Sequence, residues 1–126
     1  MNTYNSFLKF DLIPVAKPRQ TQADRWKQRP VVMRYRKFAD EIREIASNNN
    51  FILSRSISVQ FCMPMPGSWS KKKRLLRDGM PHDVRPDLDN LIKAVCDALM
   101  EEDKYLYRIT ASKHWSLTGG ILIHNL

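Results

Sequence analysis

The chain reads as a single domain that mixes helices and strands. Some stretches alternate apolar and polar residues with period 2, while others repeat apolar residues every three to four positions. A third observation is length: 126 residues supply one hydrophobic core, so 1–126 is taken as one domain.

The elements follow in order. Residues 3–13 predict a strand, with Leu8, Phe10 and Leu12 on one face and Lys9 and Asp11 on the other. Phe7 and Ile13 blur its ends, and Pro14 and Pro18 stop it. Residues 17–37 then hold Lys17, Arg19, Arg25, Lys27, Arg29, Arg34, Arg36 and Lys37 against the single acid Asp24, with Trp26 and Tyr35 among them. Cations interleaved with aromatics suit a phosphate backbone and splayed bases, although a merely solvated basic loop has the same composition. Tyr35, Phe38, Ile42 and Ile45 or Ala46 recur at helical spacing and predict a helix over 34–48, closed by Asn48-Asn49-Asn50. Ser56 to Met63 alternates as a half-buried strand before Pro64, Pro66 and Gly67.

Trp69 to Arg77 predicts a short helix carrying Lys71, Lys72, Lys73, Arg74 and Arg77, with Leu75 and Leu76 expected to dock inward. It reads either as a solvated basic face or as a phosphate-binding element. Gly79, Pro81 and His82 form the loop beyond it.

Residues 85–99, RPDLDNLIKAVCDAL, hold the chain's most unusual arrangement. Pro86 suits a helix approach and Asp87 can cap the first free N–H groups. Helical spacing then sets Asp89, Lys93 and Asp97 at successive i, i+4 positions with Asn90 beside them. Apolar residues fill most of the remaining circumference, which predicts a buried helix with one polar stripe lining a cleft. A salt-bridge ladder on a solvated face is the alternative. Asp87 and Asp89 bracket a helix start, where like charges repel unless a cation offsets them, and such carboxylates suit Mg²⁺. After the helix come Glu101, Glu102 and Asp103, then a strand over 105–115, a turn at Thr118-Gly119-Gly120 and a last strand over 121–123.

Composition narrows the function classes. Lys plus Arg number 21 and Asp plus Glu 13, a net charge of +8, which favours a polyanionic partner. No stretch approaches the roughly 18 apolar residues of a membrane span, so no membrane partner is expected. The start lacks a signal-peptide pattern, and Cys62 and Cys96 are too few for a disulfide framework. A cytoplasmic location is the expectation.

The run RPDLDNLxKxxxDAL at 85–99 resembles the signature of the RusA family of Holliday junction resolvases. Ala16-Lys17-Pro18-Arg19, Trp69-Ser70-Lys71-Lys72-Lys73-Arg74 and Ala111-Ser112-Lys113 resemble further elements of its prophage-type members. The resemblance implies a small α+β domain, a mixed sheet of about four strands with helices packed on it. It also implies a homodimer that cuts four-way junctions by paired symmetric nicks. The implied catalytic set is Asp87, Asp89, Lys93 and Asp103. Asp87, Asp89 and Asp103 would hold Mg²⁺, or Mn²⁺ in its place. Counting back from Ala111-Ser112-Lys113 puts Glu102 and Asp103 on the family's paired acids, with the preceding loop shortened. Glu102 is the alternative third ligand, Asp97 a further ligand or a support for the others, and Asn90 and Glu102 are candidates for supporting those ligands. Lys17, Arg19, Arg25, Lys71, Lys72, Lys73, Arg74 and Lys113 are the DNA-binding candidates. Two other readings stay open: a nuclease of the same fold acting on other branched DNA, and a non-catalytic DNA-binding protein.

Overall fold

A computed structural model describes residues 4–19 and 29–126, with the backbone alone at Asp103. Arg25 and its neighbours Asp24, Trp26 and Lys27 lie outside the described residues, as does Thr3 of the first predicted strand.

Four strands and three helices form: β1 (Phe7–Phe10), α1 (Pro30–Asn48), β2 (Ser56–Pro64), α2 (Lys71–Arg77), α3 (Leu88–Leu99), β3 (Arg108–Ser116) and β4 (Gly120–Asn125). A short 3₁₀ turn, Asp103–Tyr105, lies between α3 and β3. The sheet order is β1-β4-β2-β3, mixed as expected. β2 and β3 run parallel, with α2 and α3 in their crossover, and the other two pairs are antiparallel. Val59 at the centre of β2 faces Ala111 on one side and Ile123 on the other.

The core lies on one face of the sheet. Ile57, Val59, Phe61, Ile121 and Ile123 are buried there against Tyr35, Phe38 and Ile42 of α1 and Leu91, Ala94 and Val95 of α3. Each large aliphatic side chain fully buried this way contributes about 1.5–3 kcal/mol. Gln60 and His124 are exposed on the other face. The amphipathic pattern of α3 is as expected, with Leu91, Ala94, Val95, Cys96 and Ala98 buried and Asp89 and Lys93 exposed.

Several boundaries differ from the pattern-based expectation. β1 is shorter than residues 3–13, because it is a sheet edge paired to β4 alone. α1 starts four residues early, where Pro30 has its fixed φ at the first helical turn. It ends as expected, with Asn50 at φ 52 and the Phe51 N–H donating to the Ala46 carbonyl. Leu75 and Leu76 do not dock inward: they are 63 and 69 % exposed, and α2 has no buried residue. Arg74 holds α2 instead, donating to the Trp69 and Pro66 carbonyls at 3.1 Å each, and the Ser70 hydroxyl caps the Lys73 N–H.

Candidate active site

The start of α3 is where the acids gather. Asp87 occupies the N-cap position, but its carboxylate makes no capping hydrogen bond, contrary to expectation. Asp89 in the first turn accepts from the Asn90 N–H at 3.0 Å. Both carboxylates are exposed, and Arg85, Pro86, Asp87 and Asn90 line an open cleft of about 440 Å³. Lys93, one turn beyond Asp89, is exposed as well. Asn90 also acts through its backbone, since its carbonyl accepts from the Lys17 N–H at 3.0 Å.

Asp97 has a different role from the rest of the polar stripe. It is ion-paired with Lys17, both side chains half-buried, so it straps the segment before α1 to α3. No ion pair links Asp89, Lys93 and Asp97 among the described residues, which removes the salt-bridge ladder as an account of the stripe. Buried Tyr35 stands beside this pair. Burial raises its pKa, the Lys17 charge opposes that rise and Asp97 adds to it.

Asp103 opens the short 3₁₀ turn between α3 and β3. It follows the last turn of α3, between Glu102 and Tyr105, which line a cleft with Ile52, Leu53, Leu99 and Met100. Asp87 stands before the first turn, and twelve helical residues rise about 18 Å. Returning along that length and coming back to β3 would take roughly eleven extended residues. Only the eight residues 100–107 connect α3 to β3, so the shortened loop runs directly from helix end to strand start. The backbone thus passes through Glu102 and Asp103 on its way from the end of α3 to β3, and the side chain of Asp103 lies outside the described residues. Among the described residues, no three His, Cys, Asp or Glu side chains form a group able to hold a metal ion.

The cationic candidates divide into free and committed ones. Lys71 and Lys72 are exposed on α2. Lys73 lies over the Trp69 ring at 4.4 Å, and Arg74 is held by the two carbonyls named above. Arg19 is exposed and its carbonyl accepts from Arg29 at 2.8 Å. Lys113 donates to the Val84 and Pro86 carbonyls, at 2.6 and 2.7 Å.

One feature of the site had no signal in the sequence. The ring of Trp115 packs 4.7 Å from Trp69 and 4.3 Å from His82, a stack that docks the base of α2 onto β3. His82 and Trp115 are both 6 % exposed, and among the described residues His82 Nδ1 and Trp115 Nε1 are buried without a hydrogen-bond partner. Burial, then the Lys113 charge, lowers the His82 pKa. These three rings are widely separated in the chain, so local spacing could not associate them.

Fold and site together define a small α+β protein whose acidic helix start is joined along β3 to a cationic helix, an arrangement suited to a polyanionic backbone. The chain belongs to the RusA family of endodeoxyribonucleases: the family model, Endodeoxyribonuclease RusA, matches residues 11–124. The match takes in every element except β1 and the last residue of β4. Among curated proteins, none matches the chain.

Proposed function

We propose that this protein is a divalent-cation-dependent endodeoxyribonuclease that resolves four-way DNA junctions by paired symmetric nicks, as a homodimer, in recombination and repair. One observation carries the reading. The exposed carboxylates Asp87 and Asp89 stand at an open helix start in a strongly basic chain that matches a junction-nuclease family over residues 11–124.

The donor chemistry supports a hard cation. Two carboxylates with no thiol or imidazole beside them suit Mg²⁺, which is commonly held by one or two carboxylates, waters and substrate phosphate oxygens. Asp87, Asp89 and Asp103 would hold the ion, with water and DNA supplying the remaining oxygens. Bound there, it would supply Lewis-acid polarisation of the phosphate and the means to activate water. Lys93 has its ammonium one turn beyond Asp89, where it would offset charge developing on the phosphate or the departing oxygen. The Asn90 backbone N–H orients the Asp89 carboxylate, while its carbonyl fastens the Lys17 segment. Lys71 and Lys72 bind the flanking backbone, offsetting the repulsion that two acids impose on DNA.

The test is single-turnover cleavage of a four-way junction with and without Mg²⁺, against a flap and a plain duplex. Wild-type protein should cut the junction in Mg²⁺ and leave it intact in chelator. Asp89→Asn should cut more than about a hundredfold slower while binding the junction equally well or tighter, because it removes a negative charge facing DNA. Cleavage by Asp89→Asn at the wild-type rate would overturn the assignment. Faster cutting of the flap would redirect it to other branched DNA.

A further inference from the structure

Lys113 stands opposite Phe61 in the parallel β2–β3 pair, and Phe61 is buried in the core. The register therefore sets this lysine on the helix-covered side of the sheet. An ammonium there must find acceptors or snorkel to water. It finds two acceptors, the Val84 and Pro86 carbonyls, on either side of the Arg85–Pro86 peptide.

The second hydrogen bond is the consequential one. The Pro86 carbonyl belongs to the peptide unit whose nitrogen is that of Asp87, so the ammonium grips the plane from which Asp87 begins. Pro86 has no N–H with which to brace this turn itself. The same strand also secures the approach through its main chain. Gly79 N–H donates to the Trp115 carbonyl at 2.8 Å, Trp115 N–H to Met80 at 2.9 Å and His82 N–H to Lys113 at 3.1 Å. From Gly79 to Asp87 the chain is laced along β3, and the Lys113 side chain makes the last fastening.

We infer that Lys113 is a positioning residue for Asp87, a two-point clamp that fixes where the carboxylate leaves the helix start. This rests on the reading of Asp87 as a metal ligand. A phosphate-binding role fits the geometry poorly, because two of the three ammonium donors are already engaged by carbonyls.

The experiment compares wild type, Lys113→Met and Lys113→Arg by three measurements. The first is amide hydrogen exchange over residues 83–90 without metal or DNA. The second is the Mg²⁺ concentration giving half-maximal junction cleavage, and the third is the salt dependence of junction binding. Lys113→Met should speed exchange in that segment alone by about tenfold or more. It should raise the half-maximal Mg²⁺ concentration by about 10- to 100-fold and leave the salt slope unchanged. Lys113→Arg, which keeps donors at the position, should recover part of both effects. Wild-type exchange and Mg²⁺ dependence in Lys113→Met would overturn the clamp. So would exchange accelerated throughout the chain, or a salt slope smaller by about 0.9, the mark of one phosphate no longer neutralised. If wild-type protein cut no branched DNA, the nuclease reading would fail while the exchange result still decided the clamp.

Discussion

His82 is held neutral by its surroundings: burial penalises its charged form first, and the nearby Lys113 ammonium adds repulsion. The unfolded chain has no such penalty, so its histidine titrates near 6.5. Below that pH the unfolded state binds more protons than the folded one, and stability must fall as acid is added. The stack on Trp115 makes this a structural matter for the whole base of α2, because a charged imidazolium would have a buried Nδ1 proton with no acceptor. Thermal unfolding at fixed ionic strength should therefore give a lower midpoint at pH 5 than at pH 7. His82→Phe, which keeps the ring against Trp115, should flatten that part of the profile. An equal pH slope in the variant would remove His82 as its source. The same scale shows why certain pairings were illegible in the sequence. Lys17 and Asp97 are 80 residues apart, and nothing in either local pattern marks them as partners. Asp97 read as part of a stripe with Asp89 and Lys93, yet it pairs across to another segment.

Helix α2 meets solvent almost all round, and that shapes what its cations do. Lys71 and Lys72 project freely, whereas Lys73 covers Trp69 and Arg74 closes the turn behind the helix. Replacing Lys71 and Lys72 together with alanine should weaken junction binding and reduce the slope of log K against log salt by about 0.9 for each phosphate that either lysine neutralises. Stability should stay within about 0.5 kcal/mol, since both side chains are exposed. Titrations at several salt concentrations decide it, and an unchanged slope would make α2 a solvated face. Elements of this kind were largely legible. Alternation in Ser56–Met63 and helical spacing in Leu88–Leu99 announced β2 and α3 because one side of each is buried in a single core. Leu75 and Leu76 misled, since apolar identity implies burial only where the fold supplies a surface to cover them.

At the scale of the whole molecule, the sheet and its two packed helices hold one acidic helix start per chain, within a single domain of net charge +8. On the proposed reading, one such site breaks one strand. A four-way junction has two equivalent strands related by a two-fold axis, and a symmetric pair of protomers is the assembly that meets both in one encounter. The charge fits this arrangement as well. Two copies carrying +8 each repel one another in isolation, while the junction's phosphates offset that repulsion, so DNA should favour the pair over the separate chains. A supercoiled circular DNA that extrudes a cruciform reports on it directly. Two nicks made within the life of one complex convert the circle to a linear product, whereas independent nicks pass through an accumulating nicked circle. Linear product should dominate at protein concentrations that support the pair, as measured by sedimentation with junction DNA. Dilution below that range should shift the product towards nicked circles. Mixing wild type with Asp89→Asn should do the same at constant total protein, because a mixed pair holds one competent site. Linear product that persisted unchanged through both manipulations would rule out a two-protomer enzyme, while leaving the chemistry of each acidic helix start to the single-turnover assay.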